Sequence, residues 1–245
     1  MFISIIIPAY NEATRIRKTL DRYVPSLYPG KVEYLVVLNG CTDNTSEVVK
    51  KARTELGESI HIHELEMGGK GLAIRHGFKE ARGELVGFLD ADGATAPEEY
   101  EKLIQALIHG RRDGAIASRW KKGSKVIART SFFRTIASQG FHIIMKLLFW
   151  MPFRDTQCGA KIFRRHVIEK ILPQLRVKNM TIDVEILYAC KMAGYDIEEV
   201  PTVWIDQTNS EQFASLGKLI KTSWNMFIAL IAIRFHHSQS RHVSR

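Results

Sequence analysis

Five short runs of aliphatic and β-branched residues alternate with helix-like segments from the start of the chain to Ser118. The runs are FISIII, YLVVL, SIHIHEL, ELVGFLD and GAIAS, and the segments between them span 12–27, 43–56, 70–82 and 97–109. Successive parallel strands need long crossover connections, which are usually helices. The alternation therefore predicts an α/β fold with a Rossmann-like, mostly parallel sheet flanked by helices on both faces.

Polar motifs follow three of these predicted strands, at 8–12 (PAYNE), 39–45 (NGCTDNT) and 90–93 (DADG). In open parallel sheets ligands bind at the carboxyl ends of the strands, so we expect these motifs to border one site. Asp90 and Asp92 are two residues apart, which directs both carboxylates to the same side of an extended chain. Such a pair is typical of a cation site, although a polar turn after a buried strand uses the same residue types.

The composition is that of a globular protein with an excess of basic residues. Of the 245 residues, 45% are hydrophobic and 25% charged, and the net charge is +9. This charge indicates an anionic partner, which is nucleic acid, a phosphorylated substrate or an anionic membrane. Cys41, Cys158 and Cys190 are odd in number, far apart and without a CxxC or Cys/His cluster, so neither a disulfide framework nor a structural zinc site is supported. This cysteine usage indicates a reducing, cytoplasmic setting.

Three apolar stretches bear on export and membrane association. The N-terminal MFISIIIPAYNE lacks the basic segment and the cleavage site of a signal peptide, so we interpret it as the first strand. The stretches 141–153 and 224–235 are shorter than the roughly 20 apolar residues that a spanning helix needs. Their mixture of aromatic and basic residues suits either an amphipathic helix in a membrane interface or a helix in the protein core.

Seven motifs occur in a fixed order along most of the chain. They are PAYNE (8–12), NGCTDNT (39–45), GGKG (68–71), DADGAT (90–95), SRW (118–120), RDTQCGAKIF (154–163) and IDVEIL (182–187). In this order they resemble the motifs of family 2 glycosyltransferases, and within that family the dolichyl-phosphate β-glucosyltransferases. The resemblance implies a GT-A fold at 1–213, followed by an amphipathic, membrane-associating helix and tail at 214–245.

The same resemblance implies a nucleotide-sugar donor and a divalent ion, Mg²⁺ or Mn²⁺, held by the DxD carboxylates. Asp92 is then the direct, catalytic ligand, and Asp90 holds the ribose or the metal. Both ions prefer oxygen ligands, commonly one or two carboxylates plus substrate phosphates. An ion in this place acts as a Lewis acid on the departing nucleoside diphosphate.

Five further residues match donor-binding positions of the family. Pro8, Tyr10 and Glu12 border the nucleoside, Asp43 frames the base, and Lys70 in GGKG approaches the diphosphate. Each position has a structural alternative. The first three also fit a strand-to-helix turn, Asp43 fits a helix N-cap, and the glycines around Lys70 fit a turn before a helix.

Two positions depart from the family patterns. Many relatives carry an acidic pair before the glycine of the second motif, where this chain has Leu38 and Asn39. Asn both donates and accepts hydrogen bonds whereas Asp only accepts, so we assign Asn39 to the donor site without carrying over the identity of the base. Enzymes that make dolichyl phosphate mannose often have Gln at the position of Ala94, which favours a glucosyl donor.

Residues 114–154 contain no acidic side chain, although acidic and basic residues normally alternate on solvated surfaces. This basic window indicates a phosphate partner, because Arg makes bidentate contacts with phosphate. We predict that the lipid-phosphate acceptor is bound by Arg119, Arg129, Arg134 and Ser138, and that membrane docking uses Lys121, Lys122 and Lys125. The alternative is a basic surface without a ligand.

Asp183 and Glu185 lie where other family 2 enzymes carry a catalytic base. A phosphate monoester is already largely a dianion at neutral pH, because its second pKa is near 6, and it needs no base. We therefore assign Asp183 to orienting the sugar or basic side chains in catalysis, with helix capping as the structural alternative.

The resemblance implies inverting transfer of a hexose from a nucleotide sugar, with UDP-glucose favoured, to dolichyl or polyprenyl phosphate. The enzyme would be attached peripherally to the cytoplasmic face of an anionic membrane. GDP-mannose as the donor is one alternative, and a non-catalytic nucleotide- or nucleic-acid-binding module of the same fold is another. The basic window lacks the interleaved aromatic residues of a nucleic-acid channel, so nucleic acid is not an expected partner.

Overall fold

The computed structural model describes residues 1–28, 30–127, 148–205 and 228–235. The strands are β1 (Ile3–Ala9), β2 (Val32–Asn39), β3 (Ile60–Leu65), β4 (Leu85–Phe88), β5 (Gly114–Ser118), β6 (Lys125–Ile127), β7 (Lys161–Arg164), β8 (Ile197–Pro201) and β9 (Val203–Ile205). The helices are α1 (Ile16–Ser26), α2 (Thr45–Leu56), α3 (Lys70–Glu80), α4 (Pro97–His109), α5 (Arg165–Ile171) and α6 (Ile182–Met192). Residues 228–235 are also helical.

Seven strands form one sheet in the order β3-β2-β1-β4-β7-β5-β8. β1 pairs in parallel with β2 and β4, and the pairs β2–β3 and β5–β8 are also parallel. The predicted mostly parallel sheet flanked by helices is confirmed. The strand order reverses between β1 and β4, which opens a crevice outside the carboxyl ends of these strands.

β7 is the exception, because it runs antiparallel to both of its neighbours, β4 and β5. Its first residue, Lys161, is paired with Phe88 of β4 and with Ile116 of β5. An antiparallel strand begins at the edge where its neighbours end. β7 therefore brings the segment before it, from the second half of the sequence, to the carboxyl ends of β4 and β5.

The helices cover both faces of the sheet because successive residues of each strand point to opposite sides. Ile6 of β1 packs with Ile74 of α3 in one buried cluster, whereas Ile5 packs with Leu20 of α1 and Leu103 of α4 in the other. All five side chains are completely buried. Burial of an aliphatic side chain of this size contributes about 1.5–3 kcal/mol, so the two clusters fix the strand ends in place.

A two-stranded parallel sheet, β6–β9, lies beside the main sheet. In the helical segment 228–235, Leu230 and Ile233 are buried in the same cluster as α3, and Arg234 donates a hydrogen bond to the Tyr188 hydroxyl at 3.0 Å. The domain boundary predicted at 213/214 and residues 141–147 lie outside the described residues. Across the described ranges, no helix combines the length and the apolar character that crossing a membrane requires.

Candidate functional site

Three elements bring charged side chains together outside the carboxyl ends of β1 and β4. The Nζ atom of Lys70, the first residue of α3, lies 2.8 Å from Oδ1 of Asp90 and 2.8 Å from Oδ2 of Asp183. Asp90 follows β4, and Asp183 lies in the first turn of α6. Only 9% of Lys70 is exposed. The sequence-predicted residues Lys70, Asp90 and Asp183 thus meet in one site.

A second buried lysine completes this cluster. The Nζ atom of Lys161 lies 2.5 Å from Oδ1 of Asp183 and donates a second hydrogen bond to the Cys158 carbonyl, also at 2.5 Å. It also lies 5.2 Å from the centre of the Phe88 ring. Both oxygens of the buried Asp183 carboxylate therefore contact an ammonium group, one from Lys70 and one from Lys161.

The neighbouring cations govern the ionisation of Asp90. Burial acts to raise the pKa of Asp90, but the opposing attraction of Lys70, with smaller contributions from Lys161 and Arg119, leaves the pKa of Asp90 below its usual value. Burial would likewise lower the pKa of Lys70, yet Asp183 and Asp90 raise the pKa of this ammonium above its usual value. Asp90 and Lys70 are therefore both charged at neutral pH.

Asp92 has the opposite environment. Burial, reinforced by the charge of Asp90, raises the pKa of Asp92. One Asp92 oxygen accepts a hydrogen bond from the Ala94 N–H at 3.0 Å, and no ion pair to Asp92 is formed by the residues that the structure describes. Its negative charge is thus poorly compensated, and its oxygens fit the ligand preference of Mg²⁺ or Mn²⁺.

Within the described ranges, no three His, Cys, Asp or Glu side chains are arranged to hold a metal ion. Asp90 and Asp92 supply two carboxylates at most, and a cation here would take its other ligands from a bound phosphate or from water. This donor set fits an ion that arrives together with a phosphorylated substrate rather than a closed structural metal site.

Arg119 follows β5 and forms a bidentate ion pair with Asp155. Its Nε lies 2.7 Å from one Asp155 oxygen and its terminal nitrogen 2.9 Å from the other, and its guanidinium lies 5.3 Å from the centre of the Trp204 ring. Asp155 is 2% exposed, and its backbone N–H donates to Glu199 at 2.9 Å. The attraction of Arg119 outweighs the effect of burial and lowers the pKa of Asp155.

The structure gives Asn39 a role inside the protein. Its side-chain nitrogen donates to the Ala9 carbonyl at 2.9 Å, and its side-chain oxygen accepts from the Gly69 N–H at 2.9 Å. Asn39 is 2% exposed. It therefore ties the end of β1 to the loop before α3, and a contact of Asn39 with a nucleotide stays a prediction.

The other residues predicted to border the nucleoside, Pro8, Tyr10 and Glu12, lie at the end of β1 and in the loop before α1. Tyr10 is exposed, Pro8 is half-buried, and Glu12 forms an ion pair with Arg15 at 2.6 Å. Burial raises the pKa of Glu12 despite this partner, and the nearby DxD carboxylates add to the effect. The helix-like segment predicted at 12–27 begins as α1 only at Ile16, so Glu12 precedes the helix.

α2 begins at Thr45 with Asn44 at the cap position, but the Asn44 side chain makes no capping hydrogen bond and Asp43 supplies the capping oxygen, as the sequence alternative proposed. One Asp43 oxygen accepts from the Thr45 N–H at 3.1 Å, and the other accepts from the Ala13 N–H at 3.2 Å. Asp43 therefore connects the loops that follow β1 and β2.

The glycines beside Lys70 adjoin protein backbone. A β-carbon on Gly69 would lie 2.4 Å from the Lys178 carbonyl oxygen, and one on Gly71 would lie 2.3 Å from that of Val177. The Gly71 N–H already donates to the Lys178 carbonyl at 3.0 Å. At Gly69 and Gly71, the close approach expected for a diphosphate is therefore made by the chain itself.

The structure describes some of the predicted acceptor and docking residues but not all of them. Arg129, Arg134 and Ser138 lie outside the described residues. Lys122, which precedes β6, and Lys125, the first residue of β6, are both exposed. The Lys121 ammonium instead donates a hydrogen bond to the Glu199 carbonyl.

A family model for Glycosyl transferase family 2 matches residues 4–172. The chain belongs to this family. It is therefore a glycosyltransferase. It is 38% identical over 223 residues to the dolichyl-phosphate beta-glucosyltransferase of Drosophila melanogaster, covering 85% of this chain and 68% of that protein. It is 32% identical over 238 residues to the protein of the same name from Saccharomyces cerevisiae, covering 89% and 71%.

Solved structures agree with the fold of this glycosyltransferase. Glucosyl-3-phosphoglycerate synthase from Mycobacterium tuberculosis, crystallised with Mn²⁺, UDP and glucosyl-3-phosphoglycerate, superposes with a TM-score of 0.72 at 18% identity. The match covers 95% of this chain and 79% of that chain. The predicted GT-A fold is thereby confirmed.

Sequence reasoning missed two charged residues of the glycosyltransferase site, Lys161 and Glu199. Lys161 is the first residue of a four-residue strand and is completely buried, which is rare for lysine unless it is paired. Its position inside the apolar run AKIF was the available signal. Glu199 fixes the backbone of Arg154 and Asp155 from β8, 44 residues along the chain from Asp155, and no local pattern reports that contact.

Proposed function

We propose that this glycosyltransferase moves glucose from UDP-glucose to dolichyl phosphate or another polyprenyl phosphate, with inversion at the anomeric carbon. The observation that carries the proposal is the 38% identity, over 85% of the chain, to a protein named dolichyl-phosphate beta-glucosyltransferase. The charge arrangement supports it, because two carboxylates and a buried ammonium lie together where an α/β sheet binds nucleotides.

The DxD carboxylates Asp92 and Asp90 would hold Mg²⁺ or Mn²⁺, with Asp92 as the direct ligand. When bound, the ion neutralises the negative charge that builds on the leaving nucleoside diphosphate. Support comes from the poorly compensated charge of Asp92 and from the Mn²⁺ and UDP in the structurally similar synthase.

Lys70 contributes a fixed positive charge beside the same diphosphate. Its ammonium is held between Asp90 and Asp183 before any substrate arrives, so little reorganisation is needed when charge develops on the leaving group. Pro8, Tyr10 and Glu12 would border the nucleoside. Asn39 and Asp43 would act by fixing the loops around the nucleoside, since their side chains hold backbone groups there.

The reaction needs no general base. An oxygen of the acceptor phosphate dianion attacks the anomeric carbon, the bond from this carbon to the diphosphate oxygen breaks, and the electron pair leaves with UDP. No proton has to be removed from the nucleophile. The contacts of Asp183 support this account, because both of its oxygens already accept from ammonium groups in a buried position.

The lipid phosphate would be bound at the basic window, with Arg119, Arg129, Arg134 and Ser138 as its ligands. Arg119 presents a guanidinium that Asp155 and Trp204 hold in one orientation beside the site. Lys121, Lys122 and Lys125 belong to the same window and would attract the anionic cytoplasmic face of the membrane, where a polyprenyl phosphate is embedded. These six basic residues contribute to the net charge of +9.

A transfer assay tests the proposal directly. The purified protein is incubated with Mn²⁺ or Mg²⁺, a short polyprenyl phosphate and one nucleotide sugar at a time, and the lipid product is detected by mass spectrometry. We expect a hexosyl lipid phosphate with UDP-glucose, and the corresponding polyprenyl alcohol serves as the unreactive control. NMR of the product should show the β-anomer from the α-linked donor.

The same assay separates the alternatives. A product formed only with GDP-mannose would establish a mannosyltransferase and reject the glucosyl donor. Tight nucleotide binding without any transfer to lipid would favour a non-catalytic module. Release of free glucose at the same rate with and without the lipid phosphate would exclude this acceptor.

A further inference from the structure

Lys161 is a buried cation without an assigned role. It is 0% exposed, and its two short contacts are with the Asp183 carboxylate and the Cys158 carbonyl. Removing an ammonium from water is unfavourable, and an apolar side chain of similar size is often at least as good for stability. A lysine in this position therefore points to a requirement for its charge or for the direction of its hydrogen bonds.

The charges around Lys161 form an alternating series. The Lys161 ammonium contacts Asp183, Asp183 contacts the Lys70 ammonium, and Lys70 contacts Asp90. The four charges sum to zero. Among the described residues, Lys161 forms no hydrogen bond or ion pair with Asp90 or Asp92. Its charge reaches Asp90 only as a minor, longer-range attraction, so its direct contact with the charged cluster is through Asp183.

We propose that Lys161 is a positioning residue, which fixes the Asp183 carboxylate so that Asp183 holds the Lys70 ammonium at the donor diphosphate. The inference rests on the proposed function, since it assigns Lys70 to the nucleoside diphosphate. Lys161 acts through another residue and does not touch the substrate.

The geometry explains why Asp183 needs two lysines. A carboxylate that contacts only one ammonium can rotate or share both oxygens with it, whereas Lys161 occupies Oδ1 and leaves only Oδ2 for Lys70. Asp90 and Asp183 both contact the Lys70 ammonium, and without the Lys161 charge Lys70 would be the single ammonium that these two carboxylates share. Lys70 would then be held more tightly by protein carboxylates and would be less available to a phosphate.

Binding of UDP in the presence of Mn²⁺, measured by isothermal titration calorimetry, provides a test without the lipid acceptor. Lys161→Met and Lys161→Gln should each weaken UDP binding by about tenfold, within the range of coupled neighbouring residues. The Gln variant removes the charge of Lys161 but keeps a hydrogen-bond donor near the Cys158 carbonyl, so it tests the charge alone. It is also expected to fold if the Met variant does not.

A double-mutant cycle identifies the route of the effect. If Lys161 acts through Asp183, Lys161→Met combined with Asp183→Asn should bind UDP no more weakly than Asp183→Asn alone. If the fold-loss of UDP affinity in the double variant equals the product of the fold-losses in the two single variants, Lys161 acts independently of Asp183 and the inference is overturned.

Lys191→Met is the matched control, since Lys191 lies in α6 with Asp183 and its ammonium donates to the carbonyls of Phe149 and Trp150 at 2.9 Å and 2.6 Å. It should lower the melting temperature and leave UDP affinity unchanged. If the Lys161 variants also lower the melting temperature without changing UDP affinity, the role of Lys161 is purely structural and the inference is wrong. A wild-type protein that binds neither UDP nor GDP would instead refute the proposed donor class.

Discussion

Gly159 lies so close to the Asp90 carboxylate that a β-carbon at position 159 would be 1.9 Å from Oδ2 of Asp90. The segment before β7 therefore packs directly against the first aspartate of the DxD motif. Any side chain at Gly159 must displace this carboxylate or the loop that carries Gly159.

We predict that Gly159→Ala abolishes most glycosyl transfer by displacing Asp90. The measurement is the transfer rate of the folded fraction, together with UDP affinity in Mn²⁺. Gly114→Ala is the control, because its β-carbon would collide with the Phe163 side chain in the core at 2.5 Å. That variant should lose stability while its folded molecules retain donor affinity, and an equal loss of affinity in both variants would contradict the specific role of Gly159.

Asp92→Asn should keep the fold and reduce transfer by at least about a hundredfold, the typical effect of removing one group that stabilises a developing charge. It removes the charge of the proposed metal ligand with little change in size. Asp21→Asn, on the exposed side of α1, is the matched control and should be fully active. Undiminished wild-type turnover in EDTA would disprove the metal role.

The same substitution should stabilise the metal-free protein. Burial and Asp90 raise the pKa of Asp92 in the folded state, so the folded protein binds this proton more tightly than the unfolded chain. The contribution of Asp92 to the stability of the wild type is therefore present near pH 4 and is lost as the pH rises through the raised pKa. Asp92→Asn should show a higher melting temperature than the wild type at pH 7 in EDTA, with the difference shrinking toward pH 4. A lower melting temperature at pH 7 would refute the assigned environment.

Arg119→Ala should raise the KM for lipid phosphate and leave UDP affinity nearly unchanged. Arg119→Lys should recover only part of the loss, because an ammonium cannot reproduce the bidentate fork. Arg134→Ala should act in the same direction. Since Arg119→Ala also leaves Asp155 buried without its partner, unfolding must be monitored in parallel. Loss of UDP affinity with unchanged use of the acceptor would move Arg119 to the donor site.

Replacing Lys122 and Lys125 with Ala should weaken binding to anionic vesicles by roughly 1 kcal/mol per residue. Both side chains are exposed, and the effect should vanish at high salt. Lys121 should contribute less, because its ammonium already contacts the Glu199 carbonyl. Lys51→Ala on α2 is the control, and an equal effect of Lys51 would mean that net charge, rather than this window, attracts the membrane.

The elements up to Ser118 were predictable because each has the periodicity of its structure, and the DxD pair was predictable because it follows a buried strand. The charged residues that surround the DxD pair were only partly predictable from the sequence. Lys70 and Asp183 were found through motifs, whereas Lys161 lies in a four-residue strand whose antiparallel placement depends on pairing with both β4 and β5. The glycines of GGKG illustrate a different difficulty, since their neighbours at Val177 and Lys178 are distant in sequence and only the folded chain reveals them.

The insertion of β7 between β4 and β5 also determines the order in which the protein can be completed during synthesis. β5 pairs only with β7 and β8 in the described sheet, so at least 43 residues, from Ser118 to Lys161, must be added before β5 gains a neighbour. The first four strands can associate earlier, because β1, β2, β3 and β4 pair with one another. On the ribosome, the nucleotide half of the site can therefore form first, and Arg119 joins it only when the centre of the sheet closes.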